Sequence, residues 1–135
     1  MTTPAKGQYP ADLRYTREHE WARIQPDGTC VVGITAYATD ELGDIVFIEM
    51  PKIGARFTQF SKFSEIESVK TVSDLFLPLG GEVIEVNTRL KQEPELVNRD
   101  PYGDGWLVKI RPSDPSQTAK LLTAPDYERT LGEHH

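Results

Sequence analysis

The sequence predicts a mainly β fold, and three observations carry that prediction. Ten prolines and ten glycines in 135 residues punctuate the chain more densely than a helical bundle tolerates. The apolar runs are short and rich in β-branched residues, and several alternate with polar residues at the period of a half-buried strand. Helix signals are few and mostly late.

The elements follow in chain order. Trp21 to Gln25 alternates, Pro26-Asp27-Gly28 reads as a turn, and Thr29 to Ile34 resumes the β-branched pattern, so the two runs predict a hairpin. Thr35 suits the N-cap of a short helix through Leu42, with Gly43 as its stop. Ile45 to Met50 is a nearly continuous apolar strand, ended by Pro51 and a turn at Gly54. Gly81 to Val86 is another strand. Trp106 to Arg111 is the cleanest, with Trp106, Val108 and Ile110 on one face and Lys109 and Arg111 on the other. Pro94 to Val97 predicts one helical turn with proline at its first position. Asp114-Pro115 caps a run to Leu122, and Pro125 opens a second short run from Tyr127 to Leu131. No low-complexity tract or repeat interrupts this pattern, and the length suits one domain.

Composition narrows the function classes. Fifteen basic against twenty-one acidic side chains give a net charge of −6 and a pI near 5.0. Nucleic-acid binding needs a basic face, so that class is excluded. No apolar run approaches the ~20 residues of a membrane helix, and Met1 to Pro10 lacks the apolar stretch of a secretory signal. A cytoplasmic protein is expected. The single cysteine, Cys30, rules out an internal disulfide and a Cys-rich zinc site. Its strand pattern makes it a small core residue. Of three histidines, His134 and His135 are terminal. His19 has no second histidine at ligand spacing, so a local hydrogen bond is expected of it rather than a metal. Ser68 and Ser73 have no base placed to activate them, and Trp21 and Trp106 are expected in the core. No paired acid and base and no phosphate motif supports an independent enzyme.

The informative stretch runs from Phe63 to Pro78. Two strand-forming runs, Phe63 to Val69 and Val72 to Leu77, meet near Lys70-Thr71, which puts Lys70 at or beside the tip of a hairpin of open turn type. Glu65, Glu67 and Asp74 make the surroundings acidic. On physical pattern alone, a solvated lysine loosely paired with carboxylates accounts for this, such pairs being worth about 0–1 kcal/mol.

The words of the sequence say more. Glu67-Ser-Val-Lys-Thr-Val-Ser-Asp74 resembles the lipoyl-attachment segment of the H-protein family of the glycine cleavage system. Tyr15-Thr-Arg-Glu-His-Glu-Trp21 resembles its opening motif, and Gly33 to Ala38 and Leu42 to Phe47 resemble the next two blocks. Gly81 to Asn87, Glu95-Leu-Val-Asn98 and Asp100-Pro-Tyr-Gly-Asp-Gly-Trp106 are similar to later ones. The ordered match spans Leu13 to Leu131, which divides the chain into a tail over 1–12, one carrier domain over 13–131 and a tail over 132–135.

The resemblance implies a flattened β barrel, the barrel-sandwich hybrid of biotinyl and lipoyl carriers, with short helices including C-terminal ones. It implies lipoate in amide linkage to Lys70, an arm of roughly 14 Å from standard bond lengths. A non-catalytic carrier follows, with the chemistry belonging to the cofactor and the protein presenting it. The implied partners are glycine decarboxylase, aminomethyltransferase, dihydrolipoamide dehydrogenase and a lipoate ligase or lipoyl or octanoyl transferase, served by a bacterial cytoplasmic protein expected to be a monomer. Glu67, Ser68, Val69 and Asp74 are implied as the lipoylation and docking signature. Glu20 and Asp74, with Glu18 beside them, are implied to line the cleft in which the loaded arm docks, where a carboxylate holds its cationic amine.

The sequence also departs from the family. Glycine is common there in the turn near Ser61 and at Ser64, alanine at Leu77 and serine at Gly80. The first two changes give up backbone freedom, and Leu77 is expected to add an apolar side chain near the hairpin, where enzymes dock. Those departures leave a related reading, an H-like carrier for bacterial sulfur oxidation with a heterodisulfide-reductase-like complex. A biotin carrier is disfavoured because Val69 and Thr71, not methionines, flank the lysine. A 2-oxoacid dehydrogenase lipoyl domain would lack the His-Glu-Trp and Asp-Pro-Tyr-Gly blocks.

Overall fold

Alternation at period two writes two antiparallel sheets into this chain, seen in a computed structural model that describes residues 9–133. One sheet is six-stranded. In spatial order it comprises β1 (Arg14–Tyr15), β2 (Glu20–Ile24), β3 (Cys30–Ile34), β9 (Val108–Pro112), β8 (Gly81–Val86) and β5 (Arg56–Phe57). The other is three-stranded, with β6 (Lys62–Ser68) between β4 (Ile45–Ile48) and β7 (Val72–Phe76). The expected mainly β carrier architecture is therefore present, as two facing sheets that are not closed into one barrel.

The main core lies between the sheets. Val32, Ile34, Val83 and Ile110 from the large sheet meet Ile45, Ile48, Ile66 and Leu75 from the small one. Each comes from the apolar face of its strand, so removal of this area from water holds the sheets together at about 25 cal/mol per Å². Cys30 is part of this core. Strand β2 is buried on both faces. Ala22 points into the main core, whereas Trp21 joins a second cluster with Leu13, Tyr15 and Tyr127. Gly33 is paired opposite Trp21. A Cβ there would sit 2.4 Å from the indole, so the ring position depends on that glycine.

Thr35 caps α1 (Ala36–Leu42) as expected, its hydroxyl accepting from the Ala38 N–H, and Gly43 ends the helix at φ 80°. The helix α3 (Ala124–Glu133) closes over the second cluster. Tyr127 stacks on Tyr15 at 4.8 Å, and its hydroxyl lies 2.7 Å from Thr35 Oγ1 and 2.9 Å from His19 Nδ1. His19 therefore hydrogen-bonds, though not locally as expected: its partner is 108 residues away, and the contact forms the seam between α3 and the start of β2.

Several expectations are corrected. Trp106 precedes β9 and packs against the second cluster, so the shared face begins at Val108, and neither tryptophan fills the core between the sheets. Helix α2 (Leu96–Arg99) starts two residues after Pro94, whose carbonyl receives the Val97 N–H at 3.1 Å. The run after Asp114 is a 3-10 helix, Pro115–Lys120. Leu77 is fully buried in the main core rather than offered to a partner. Ser64 is buried in β6, donates its hydroxyl to the Glu49 carbonyl and has no positive φ, so the position needs no glycine conformation. Tyr9, in the segment read as a tail, is buried edge-on against Tyr127 at 5.3 Å. Residues 132 and 133 continue α3, while His134 and His135 lie outside the described residues.

Candidate functional site

Lys70 is the middle of the three residues, Val69 to Thr71, that join β6 and β7. The Ser68 N–H donates to the Thr71 carbonyl at 2.8 Å. Tight hairpin connections usually need φ above zero at a glycine or asparagine, but none of Val69, Lys70 and Thr71 has it. The Ser68 hydroxyl takes over, accepting from the Lys70 N–H at 3.3 Å and the Thr71 N–H at 3.2 Å. This explains a buried serine two residues before an exposed lysine.

A second brace comes from outside the hairpin. The Val69 N–H donates to the Asp44 carbonyl at 3.0 Å. Asn98 of α2 fixes that loop, accepting from the Ile45 N–H and donating to the Gly43 carbonyl, both at 2.9 Å. A Cβ on Gly43 would lie 3.5 Å from Lys70 Cε, so the lysine stem rests on the end of α1. Sequence reading missed Asn98 as a support. Its only signal was its place in the Glu95-Leu-Val-Asn98 block.

The acidic surroundings divide in two. Lys62 Nζ binds Glu65 at 2.6 Å and Asp74 at 3.1 Å, and these carboxylates hold its ammonium above the ordinary lysine range. Glu65 and Asp74 face each other in the register of β6 and β7, which is why one cation serves both. Glu67 and Lys70 are in no ion pair among the described residues. Glu67 lies in one row between Phe47 of β4 and Val72 of β7. Phe47, Val72 and Val69 are 56%, 57% and 71% exposed, an apolar surface beside the lysine.

Glu20 is placed differently from an ordinary strand carboxylate. It opens β2 inside the protein, 1% exposed, and accepts from Thr16 Oγ1 at 2.6 Å and from the Phe76 N–H of β7 at 3.1 Å. It therefore ties the two sheets together. Burial pushes its carboxyl up to about 8, against those two hydrogen bonds, which pull it down. A pocket of about 410 Å³ opens beside it, lined by Tyr15, Thr16, Arg17, Glu18, Glu20, Phe60, Phe76, Lys120 and Leu122. Glu18 and Glu20 are thus brought together, while Asp74 is not among the lining residues and is engaged by Lys62. The walls are largely apolar, with two carboxylates and two cations among them. Phe60 is a wall that sequence reading missed; the expected loss of a glycine near Ser61 was the available signal.

Lys70 is exposed, lies outside helix and strand, and is in no ion pair among the described residues. An apolar pocket with a carboxylate at its base fits a tether ending in a cation. Comparison with known proteins gives the same direction. Residues 13–134 match the family model described as Glycine cleavage H-protein. The chain is 52% identical over 123 residues to a glycine cleavage system H protein of Bacteroides thetaiotaomicron, covering 91% of this chain and 97% of the relative. It is 50% identical over 119 residues to one of Symbiobacterium thermophilum, covering 88% and 92%. Among solved structures, a glycine cleavage system H protein from Mycobacterium marinum superposes with a TM-score of 0.85 at 41% identity, covering 92% of this chain and 99% of that one.

Proposed function

The chain belongs to the glycine cleavage H-protein family, and we propose that Lys70 is the lysine on which it carries its lipoyl group. Members of this family hold lipoate covalently on a lysine. The observation that carries the assignment to Lys70 is its presentation: an exposed lysine on a turn held by Ser68 and Asp44, in no ion pair among the described residues. Lys62, the other lysine of this sheet, is held by two carboxylates and is less available.

Bound there, the lipoyl dithiolane would supply the carrier chemistry: it would be reduced as it accepts the aminomethyl group left when glycine loses carbon dioxide, and on a second enzyme the methylene carbon would pass to tetrahydrofolate with release of ammonia, leaving the dithiol for reoxidation. The chain's own work is presentation, docking and shelter, with no catalytic step. The turn keeps the lysine backbone fixed, so the ordering cost of presenting the arm is met by folding. The apolar surface of Phe47, Val69 and Val72 around Glu67 is the docking face for the enzymes that load and unload Lys70: glycine decarboxylase, aminomethyltransferase, dihydrolipoamide dehydrogenase and the lipoyl-attaching enzyme. Contact at such a face is apolar at its centre and charged at its rim. The pocket beside Glu20 shelters the arm. A cation entering it favours the ionised carboxylate that burial disfavours, and Glu18 adds charge at the rim. Asp74 acts with Lys62 in ordering the hairpin.

The relatives at about 50% identity are glycine cleavage system H proteins, so the sulfur-carrier reading is not favoured. The test is Lys70→Arg. It is expected to keep the wild-type circular dichroism spectrum, refuse lipoate from a lipoate ligase and support no glycine–bicarbonate exchange by glycine decarboxylase. Lipoylation of the arginine variant at another lysine, with exchange retained, would overturn the assignment.

A further inference from the structure

We propose that Phe60 is a retaining wall of the pocket beside Glu20, held by the fold in a strained backbone conformation so that its ring packs on the apolar end of the arm. The proposal rests on the assignment of that pocket to an arm on Lys70.

The turn Thr58 to Ser61 is closed by the Ser61 N–H on the Thr58 carbonyl at 3.2 Å, and Phe60 is its third residue with φ 64°. Glycine or asparagine normally fills a third turn position with φ above zero, and an aromatic residue there is an outlier. The surroundings impose it. The Phe60 N–H donates to the Leu77 carbonyl at 2.7 Å and the Leu77 N–H to the Ser61 carbonyl at 2.9 Å, so two residues face one, as in a bulge. The Gln59 amide adds bonds to the Pro78 and Gln117 carbonyls at 3.0 and 3.1 Å.

Core packing does not explain the ring. Its neighbours Phe57 and Phe63 turn inward and meet each other at 6.5 Å, whereas Phe60 is 44% exposed. What it does line is the pocket, with Phe76 and Leu122 as further apolar walls and Glu20 in the lining. Strain at a position without a packing reason marks a ligand clamp. The matching ligand has an apolar, polarisable group next to a cation. The sulfurs of a dithiol suit an aromatic wall.

Phe60→Gly separates strain from contact, because glycine relaxes the turn and removes the wall. In protein lipoylated at Lys70, the variant is expected to melt at the wild-type temperature or higher. Its loaded arm is expected to release ammonia and formaldehyde roughly two- to tenfold faster, the range of one sulfur–aromatic contact. Phe60→Tyr should restore the wild-type lifetime. Nuclear Overhauser contacts between the Phe60 ring and the arm's methylene protons should be seen in the wild type. An unchanged lifetime in Phe60→Gly without ring contacts, or a lower melting temperature as the only effect, overturns the proposal. If Glu20→Ala also leaves the lifetime unchanged, or Lys70 proves not to carry lipoate, the pocket assignment itself fails and the Phe60 proposal with it.

Discussion

Glu20 shows how much one side chain carries. A carboxylate removed from water loses several kcal/mol of hydration, and only hydrogen bonds or a cation offset that loss. Glu20 has two hydrogen bonds, from Thr16 and from the Phe76 N–H. Burial still dominates, and its carboxyl titrates at about 8 against an ordinary 4.5. The native state therefore holds a proton that the unfolded chain has released over this interval. Stability contributed by the protonated group is complete below about pH 4.5 and is lost as pH rises to about 8, by up to about 1.4 kcal/mol per pH unit, the limit for one proton. Urea melts of the unmodified protein across that window should show this decline, and Glu20→Gln should flatten it. An equal slope in the variant would place the titration elsewhere. Cys30 shows the same desolvation, which raises its buried thiol to about 12 and disfavours the thiolate.

At the scale of elements, the lysine turn is a composite of three pieces far apart in sequence. Hairpin β6–β7 supplies Lys70, the end of α1 supplies Gly43 and Asp44, and α2 supplies Asn98. Asn98→Ala removes both side-chain bonds to the loop and leaves a half-buried N–H and carbonyl without those partners. A loss of about 1–3 kcal/mol of stability is expected. Amide exchange at Val69, whose N–H rests on Asp44, should rise more than exchange in β8, and lipoylation should slow. Equal exchange at both places would show that the hairpin needs no such support. Much of this was readable beforehand: period two marked the hairpins, and Thr35 and Gly43 bounded α1. Strands β1 and β5 are two residues each, too short to hold a period. The displacement of Trp106 from β9 and the burial of Leu77 follow from packing between sheets, which local pattern does not encode.

Over the whole molecule, two sheets enclose one core, and an aromatic cluster under α3 covers the outer face of β2. The hairpin with Lys70 projects from the small sheet, and the pocket opens where the two sheets meet at Glu20. The first was legible as an eight-residue word. The second was legible only in part, because the carboxylates can be named from motif words, but Glu20 reaches Phe76 through tertiary pairing across more than fifty residues. Asp74 is grouped with Glu20 by the resemblance alone, and in the structure Lys62 engages it. At the hairpin the net charge of −6 is partly offset, because the one Lys62 ammonium is shared between Glu65 and Asp74. The measurement that bears most directly on the carrier account is peptide mapping by mass spectrometry of the protein isolated from its native host. A single lipoyl amide on Lys70 is expected; biotin on that residue, or lipoate on another lysine with Lys70 unmodified, would show that Lys70 is not the carrier lysine.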